Sequence, residues 1–379
     1  MKRPKICFLL TRPEPHRISL LNLIAQQCEA DFEILYCTKS VYQEHVFDEK
    51  YQHVMTHKYL SGVEWHGDEK NQSATLWNPV VFKELIRAKP DLLILAGYSN
   101  PTMILAFSYA WIFGVRYGIL NESHLLKKRT KWKLLLKKLF LPLIFKNAFV
   151  NFSTGVKARE YLECYGANPS RIFTFPNTCD IDFFSTECSR YKKSRNALRE
   201  QYGLKHDSRL LLYVGRLIAC KGLETLLSAM DQLRDQKANI QLLIVGDGPL
   251  RQELEKSVQE KKLLEDVIFT GFVANLELPK YYAAADVFVL PSLEETWGVV
   301  VTEALACGLP MVLSDQVGAG YDFLHGGCNG VWFQSGDENS LLKAINKIGL
   351  ISGSNTQEYT YLLGVESFRR VLTIYHDGN

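Results

Sequence analysis

The sequence predicts an α/β protein of two domains, each a parallel sheet with helices on both faces. Three observations carry this prediction. Short apolar runs alternate with helix-period stretches through the first half of the chain, the pattern of strands joined by crossover helices. The alternation restarts at Leu210-Leu-Leu-Tyr-Val-Gly215 and continues past residue 310. The length, 379 residues at 47% hydrophobic and 22% charged, is that of two ordered domains of ordinary size.

The elements follow in order. Ile6 to Leu10 is a strand. Ile18 to Gln27 is a helix with Leu20, Leu21, Ile24 and Ala25 on one side. Phe32 to Tyr36 is a strand. Residues 40–78 read as surface loops and edge strands, and His45, His53, His57 and His66 among them lack metal-ligand spacing. Val80 to Ala88 is a helix stopped before Pro90, and Leu92 to Leu95 a strand. Met103 to Val115 is the longest apolar stretch; it falls short of the roughly 18 residues that span a bilayer and reads as a buried helix. Strands follow at Tyr117–Leu120 and Phe149–Phe152, then a capped helix from Ser153. The polar stretch 185–201 reads as a linker and the first helix of the second domain. Strands at Leu210–Gly215, Ile240–Val245, Val267–Gly271, Val287–Leu290 and from Met311 come next. The helix Val299–Cys307 has Gly308 as its C-terminal cap and Pro310 beyond it. Gln357 to Tyr375 has helical spacing.

Composition narrows the function. A net charge of +3 gives no global sign of nucleic-acid binding. Nine cysteines without a C-x-x-C pair argue against a disulfide framework or a zinc site and for a reducing, cytoplasmic setting. The first apolar run is too short for a signal-peptide core. Basic residues are unevenly placed, with eight between Lys127 and Lys146 and no acidic one. At 100° per residue Trp132, Leu135, Leu136, Leu139 and Leu143 share one face. This basic amphipathic helix reads either as an anionic membrane-surface element or as an ordinary domain helix with its apolar face on the core. The two readings are compatible if the lysines alone meet headgroups.

The chemistry concentrates in Asp286–Asp315, which reads strand, loop, helix, strand. Ligands of open α/β sheets bind outside the carboxyl ends of the strands, against helix N-termini. The backbone N–H groups of Thr296, Trp297 and Gly298 there suit an anion. Glu303, beside that spot, suits sugar hydroxyls, and Glu295 lies in the loop feeding the helix. Arg216 and Lys221 project from the strand end after Val214, a fork and a point charge fitting a diphosphate. In the first half, Glu122 and His124 follow the strand Tyr117–Leu120, where either could orient a hydroxyl or accept its proton; the alternative is a helix N-cap by Ser123. His16 and Arg17 either reach an anion or cap the next helix.

These residues carry a resemblance. Glu295 and Glu303 with seven residues between them, followed by Ala304-Leu-Ala-Cys-Gly-Leu-Pro310, look like the E-x7-E signature of family 4 glycosyltransferases. Gly215-Arg216, Lys221-Gly222 and Gly246-Asp-Gly-Pro249 resemble that family as well, and Pro176-Asn-Thr-Cys-Asp180 resembles its domain crossing. Departures are Thr296 and Thr178 where the family usually has glycine, the glycine-free turn Thr11–Arg17, and Glu122 where a histidine is usual.

The resemblance implies the GT-B fold: two Rossmann-like doubly wound domains facing a central cleft, with a C-terminal helix crossing back to the first. Its domains would be 1–183 for the acceptor, 184–355 for the nucleotide-sugar donor, and 356–379 returning from about Trp332 onward. It implies a retaining enzyme moving a sugar from a UDP- or GDP-sugar to a glycan or lipid-linked acceptor, as in polysaccharide or glycolipid synthesis, with no cofactor and no metal. Gly215, Arg216, Lys221, Gly246, Phe272, Val273, Thr296, Trp297, Gly298 and Glu303 would bind the donor, with Phe272 and Val273 at the base. Glu295, Glu122 and His124 would serve catalysis. The rivals are a non-catalytic GT-B module that binds a nucleotide or glycan and, less fittingly, a GT-B epimerase or phosphorylase.

Overall fold

The computed structural model describes residues 3–39, 52–68, 73–126, 130–348 and 361–377. The chain divides into two compact units. One is built from the residues up to Asn177 together with the C-terminal helix, the other from Thr178 onward.

The first unit contains β1 (Lys5–Leu10), α1 (Pro15–Gln27), β2 (Asp31–Tyr36), β3 (Thr56–Tyr59), β4 (Val63–Asp68), β5 (Ser73–Trp77), α2 (Val81–Ala88), β6 (Leu92–Ala96), α3 (Pro101–Phe113), β7 (Arg116–Asn121), α4 (Lys131–Asn147), β8 (Val150–Ser153), α5 (Val156–Cys164) and β9 (Ile172–Thr174). Seven strands pair in parallel in the order β3-β2-β1-β6-β7-β8-β9; β4 and β5 form a separate antiparallel hairpin. β6 is apolar at every position and β1 at all but its first residue, because both faces are covered. Ile6, Phe8 and Leu10 point into one core with Leu20, Leu21 and Ile24 of α1, and Cys7 and Leu9 point into the other with Leu85, Met103 and Phe145. The C-terminal helix, Tyr361–Asp377, joins the first of these cores: Phe368 stacks on Phe152 and touches Phe8 and Phe32.

Two helices of this unit differ from expectation. α3 buries Met103, Ala106 and Ala110, but its last turn leaves Trp111, Ile112 and Phe113 exposed. α4 is turned around. Its inward side holds Leu141 and Phe145 together with Lys137, whose Nζ lies 2.6 Å from the Tyr161 hydroxyl and 3.3 Å from that of Tyr98. The face of Trp132, Leu135, Leu136, Leu139 and Leu143 is exposed, not on the core. Two phenol acceptors and their rings give the inward ammonium a polar partner, which an apolar interior would not. Ser123 does not cap a helix: it lies in an extended loop beside the Asn121 side chain, and Thr130 precedes α4. His45, Lys127, Lys128 and Arg129 lie outside the described residues.

The second unit contains α6 (Ile181–Lys192), α7 (Arg195–Gln201), β10 (Arg209–Val214), α8 (Leu223–Asp235), β11 (Ile240–Val245), α9 (Arg251–Glu260), β12 (Val267–Gly271), α10 (Leu278–Ala284), β13 (Val287–Leu290), α11 (Val299–Ala306), β14 (Met311–Ser314), α12 (Gly320–Phe323), β15 (Gly330–Phe333) and α13 (Glu338–Ile348). Its six strands are parallel in the order β12-β11-β10-β13-β14-β15. The stretch 185–201, expected to be a linker and a first helix, holds that helix as α7, but the linker part is helical too, the end of α6, which is capped by Asp180 accepting from the Phe183 N–H at 3.1 Å. Trp332 does not begin a return to the first unit. It lies on β15 against Tyr321, and the second unit continues through α13. The expected boundary at residues 355–356 lies outside the described residues.

β10 has β11 on one side and β13 on the other. The connections leaving it diverge, so its carboxyl end and that of β13 open the crevice where such sheets hold ligands.

Candidate functional site

Each unit gathers one cluster of chemistry-bearing side chains at the carboxyl ends of its strands. In the second unit Arg216 and Lys221 come from the loop after β10, Glu295 and Glu303 from the loop and helix after β13. The two loops are tied together by backbone: the N–H groups of Leu293 and Glu294 donate to the Cys220 carbonyl at 2.8 and 3.2 Å. Lys221 and Glu295 meet in a largely buried ion pair, Nζ donating to Oε2. Arg216 is exposed, its own carbonyl fixed by the Tyr213 hydroxyl at 2.9 Å.

Glycine is required at two positions here. Gly246 has φ +137°, and a Cβ on it would lie 1.9 Å from the Gly215 carbonyl, so the loops after β10 and β11 touch backbone to backbone. Gly298 has φ +97° at the N-cap of α11 and turns the chain into the helix. The positive φ falls there and not at Thr296, so threonine in that usual glycine place brings no backbone strain. The same holds for Thr178. Trp297 is buried with its ring against Phe323, which leaves its backbone, not its indole, for any ligand. Phe272 is exposed at the end of β12 with Val273 beside it.

Glu303 lies deeper than a solvated helix carboxylate. It is buried and accepts from the Tyr282 hydroxyl at 2.7 Å. Burial drives its pKa up to about 7, against the opposing pull of that hydrogen bond. Tyr282 escaped the sequence reading. Its only signal is the Tyr281-Tyr282 pair ahead of Ala-Ala-Ala-Asp286, and no spacing rule links it to Glu303.

In the first unit Arg17 donates to Glu122 Oε1, and Asn177 Nδ2 joins the same oxygen at 3.2 Å. Arg17 also lies 3.4 Å from Asn177 Oδ1 and 3.7 Å from Glu14. Burial works against the guanidinium, yet Glu14 and Glu122 outweigh it and raise its pKa. His16 lies 3.6 Å from Glu14, and burial lowers its pKa. Three strand ends build this cluster: β1 leads to His16 and Arg17, β7 to Glu122, β9 to Asn177. His124 does not join it. The ring is buried and Nδ1 accepts from the Leu126 N–H at 3.2 Å, a turn-forming use. Asn177 and Glu14 were the members missed by sequence reading. Among the described residues no group of three or more His, Cys, Asp or Glu is disposed to hold a metal ion.

With this geometry in place, likeness to solved structures decides the fold. Anabaena HepE in complex with UDP-glucose superposes with a TM-score of 0.69, over 99% of this chain and 98% of that one, at 18% identity. The chain has the GT-B fold. Residues 194–358 match the family described as glycosyl transferases group 1. An uncharacterized glycosyltransferase of Methanocaldococcus jannaschii is 35% identical over 150 residues, 40% of this chain and 38% of its own length. The GDP-mannose-dependent alpha-(1-6)-phosphatidylinositol monomannoside mannosyltransferase of Mycolicibacterium smegmatis is 34% identical over 184 residues, 47% of each chain. The chain thus spans less than half the length of these two relatives. The group 1 likeness falls on the second unit.

Proposed function

We propose that this chain is a retaining glycosyltransferase that moves a sugar from a nucleotide-diphosphate sugar to a glycan or lipid-linked acceptor. The observation that carries the reading is the convergence of Arg216, Lys221, Glu295 and Glu303 at the switch point of the second sheet, on the residues where the group 1 match lies. Arg216 and Lys221 neutralise the diphosphate as charge develops on the leaving group. The backbone at Thr296–Gly298, at the start of α11, assists them. Glu303 accepts from the ribose hydroxyls. Glu295 stands near the donor sugar, where it fixes Lys221 and stabilises the developing positive charge at the anomeric carbon. Gly215 and Gly246 let the backbone approach the diphosphate, and Phe272 with Val273 faces the base. Among the named relatives one uses GDP-mannose and one structure holds UDP-glucose, which supports a UDP- or GDP-sugar here. No metal or cofactor is needed in this reading, and a reducing cytoplasmic setting fits nine unpaired thiols.

The test is a binding and hydrolysis panel of UDP-, GDP- and ADP-sugars with the full chain, in buffer with and without EDTA, beside Glu303→Gln. One donor bound and slowly hydrolysed, EDTA-insensitive and weakened in the variant, is expected. Binding without hydrolysis or transfer would make the chain a nucleotide-binding module. Binding of none of the three would remove the donor site.

A further inference from the structure

The second unit has another charged recess, at the amino ends of its strands and away from the loops that gather Arg216 and Glu295. A cleft of ≈ 440 Å³ opens there, inside the range of about 300–1,000 Å³ typical of small-molecule sites. Its walls come from α7, from the loop 206–208 ahead of β10, and from the first residues of β10 and β13. β10 is six residues long, and at about 3.3 Å per residue its two ends lie about 17 Å apart. The recess is therefore a separate place from the candidate donor site.

The charges in this cleft do not balance. Three guanidinium groups line it, those of Arg195, Arg199 and Arg209, against two carboxylates, Asp207 and Asp286. Asp286 is already taken up: it accepts from Arg195, from Arg199 at 2.6 Å and from the Leu210 N–H at 2.7 Å. Arg199 is buried with every nitrogen engaged, the others donating to the carbonyls of Ala284, His206 and Ser208. Asp207 is exposed. Arg209 is left over. Its Nη1 donates to the Ile345 carbonyl at 3.2 Å, while among the described residues Nε and Nη2 have no partner and no carboxylate lies within ion-pair distance. Burial lowers its pKa, and Asp286 opposes this only in part. A half-buried cation that no carboxylate answers is unfavourable as it stands, and an anion laid on its open edge removes that imbalance.

The donors name the class of anion. The open edge of a guanidinium matches two oxygens of a phosphate. Arg195 has Nη1 unbonded among the described residues, and the exposed His206 ring lines the same cleft. Val287, Pro310 and Ile348 complete the wall and offer apolar surface to a carbon skeleton.

We propose that this cleft binds a phosphate dianion, free or as the monoester of a small molecule, on the open edge of Arg209 with Arg195 and His206 beside it. The site does not depend on the transfer reading, and each can fail without the other.

The experiment is calorimetric titration of the full chain with inorganic phosphate and with glycerol 3-phosphate. It is run at about pH 7.5, above the second phosphate pKa of about 6, with ionic strength held at about 0.15 M by NaCl. The candidate donor clamp also suits phosphate, so Arg216→Ala/Lys221→Ala serves as a background without it. One equivalent is expected to bind in that background as in wild type. Arg209→Gln removes the charged edge, and His206→Glu places a negative charge in the cleft from an exposed position; each should weaken binding at least about tenfold. Arg209→Lys, which keeps the charge without the fork, should recover part of the loss. Thermal melts check that the Arg209 variants fold. Tighter binding of glycerol 3-phosphate than of inorganic phosphate supports the site and assigns it to an ester; equal binding supports it and assigns it to the free ion. No binding of either to wild type overturns the proposal. So does binding that Arg216→Ala/Lys221→Ala abolishes and that Arg209→Gln and His206→Glu leave unchanged.

Discussion

Glu303 is the residue whose surroundings make the sharpest claim. Its carboxyl, raised from 4.5 to about 7 by burial, is held partly protonated at neutral pH, and a protonated acid accepts fewer bonds from ribose hydroxyls. Donor affinity should therefore rise with pH up to about 7 and level off above it. A nucleotide-sugar is the right probe, because its diphosphate does not titrate in this range. Calorimetric titration between about pH 5.5 and 8.5 is expected to show roughly tenfold tighter binding per pH unit below the midpoint, and a flat profile in Glu303→Gln. Tyr282→Phe removes the bond that favours the carboxylate, so its midpoint should move up; an unmoved midpoint would detach Tyr282 from the site. Stability has the opposite slope. A folded pKa above the unfolded value contributes stability that is full below about pH 4.5 and is lost as pH rises through about 7, about 3 kcal/mol in all for a buried group. Glu303→Gln should lack this loss in urea unfolding at pH 5 against pH 8. The clamp has its own test: Lys221→Ala or Arg216→Ala removes a charge-assisted bond worth about 1.5–3 kcal/mol, a tenfold to hundredfold loss of turnover at subsaturating donor. The spacing of Glu295 and Glu303 is local and stands in the sequence itself. Tyr282 was not legible, since a contact across 21 residues leaves no periodic trace.

At the level of elements, periodicity shows which side chains share a face but not which way the face turns. The strands of both sheets were legible because a strand buried on both sides is nearly all apolar, as β1 and β10 are after their first residues. α4 shows the limit. Its apolar positions form one face as expected, yet the structure turns that face outward and seats Lys137 against Tyr98 and Tyr161. The sequence holds no mark of this inversion, because the two tyrosines come from other elements. Lys137→Ala should lower stability by about 2 kcal/mol, having removed charge-assisted bonds and a cation–π contact. Lys138→Ala, one residue on and exposed, should stay within about 0.5 kcal/mol of wild type. Urea unfolding distinguishes them, and equal effects would mean that Lys137 is an ordinary surface lysine. In the polar stretch 185–201 the expected first helix is there as α7, but the part read as linker is the end of α6. These two helices pack through few apolar residues, Ile181, Phe184, Cys188 and Leu198, too sparse to stand out from a linker.

Across the whole molecule the two units were legible to different depths. The family match falls in residues 194–358, with the Glu295–Glu303 spacing inside it, and the first unit keeps the layout without the side chains the resemblance implies: a glycine-free turn after β1 and Glu122 in a usual histidine place. The structure joins those two departures, since Arg17 from that turn pairs with Glu122 and Asn177 completes the set. A buried guanidinium held by two acids is costly to build unless it positions something. If the second unit serves the donor and the first the acceptor, this pair acts on transfer and not on donor binding. Glu122→Gln keeps the shape and weakens the hold on Arg17. It should leave calorimetric affinity for the nucleotide-sugar within about twofold and slow transfer to acceptor by roughly tenfold or more, while Arg216→Ala weakens donor binding itself. Arg17→Lys, which keeps the charge and loses the fork, should behave like Glu122→Gln. Should Glu122→Gln weaken donor binding as much as Arg216→Ala does, the ion pair belongs to the donor site, and the division of labour between the units fails.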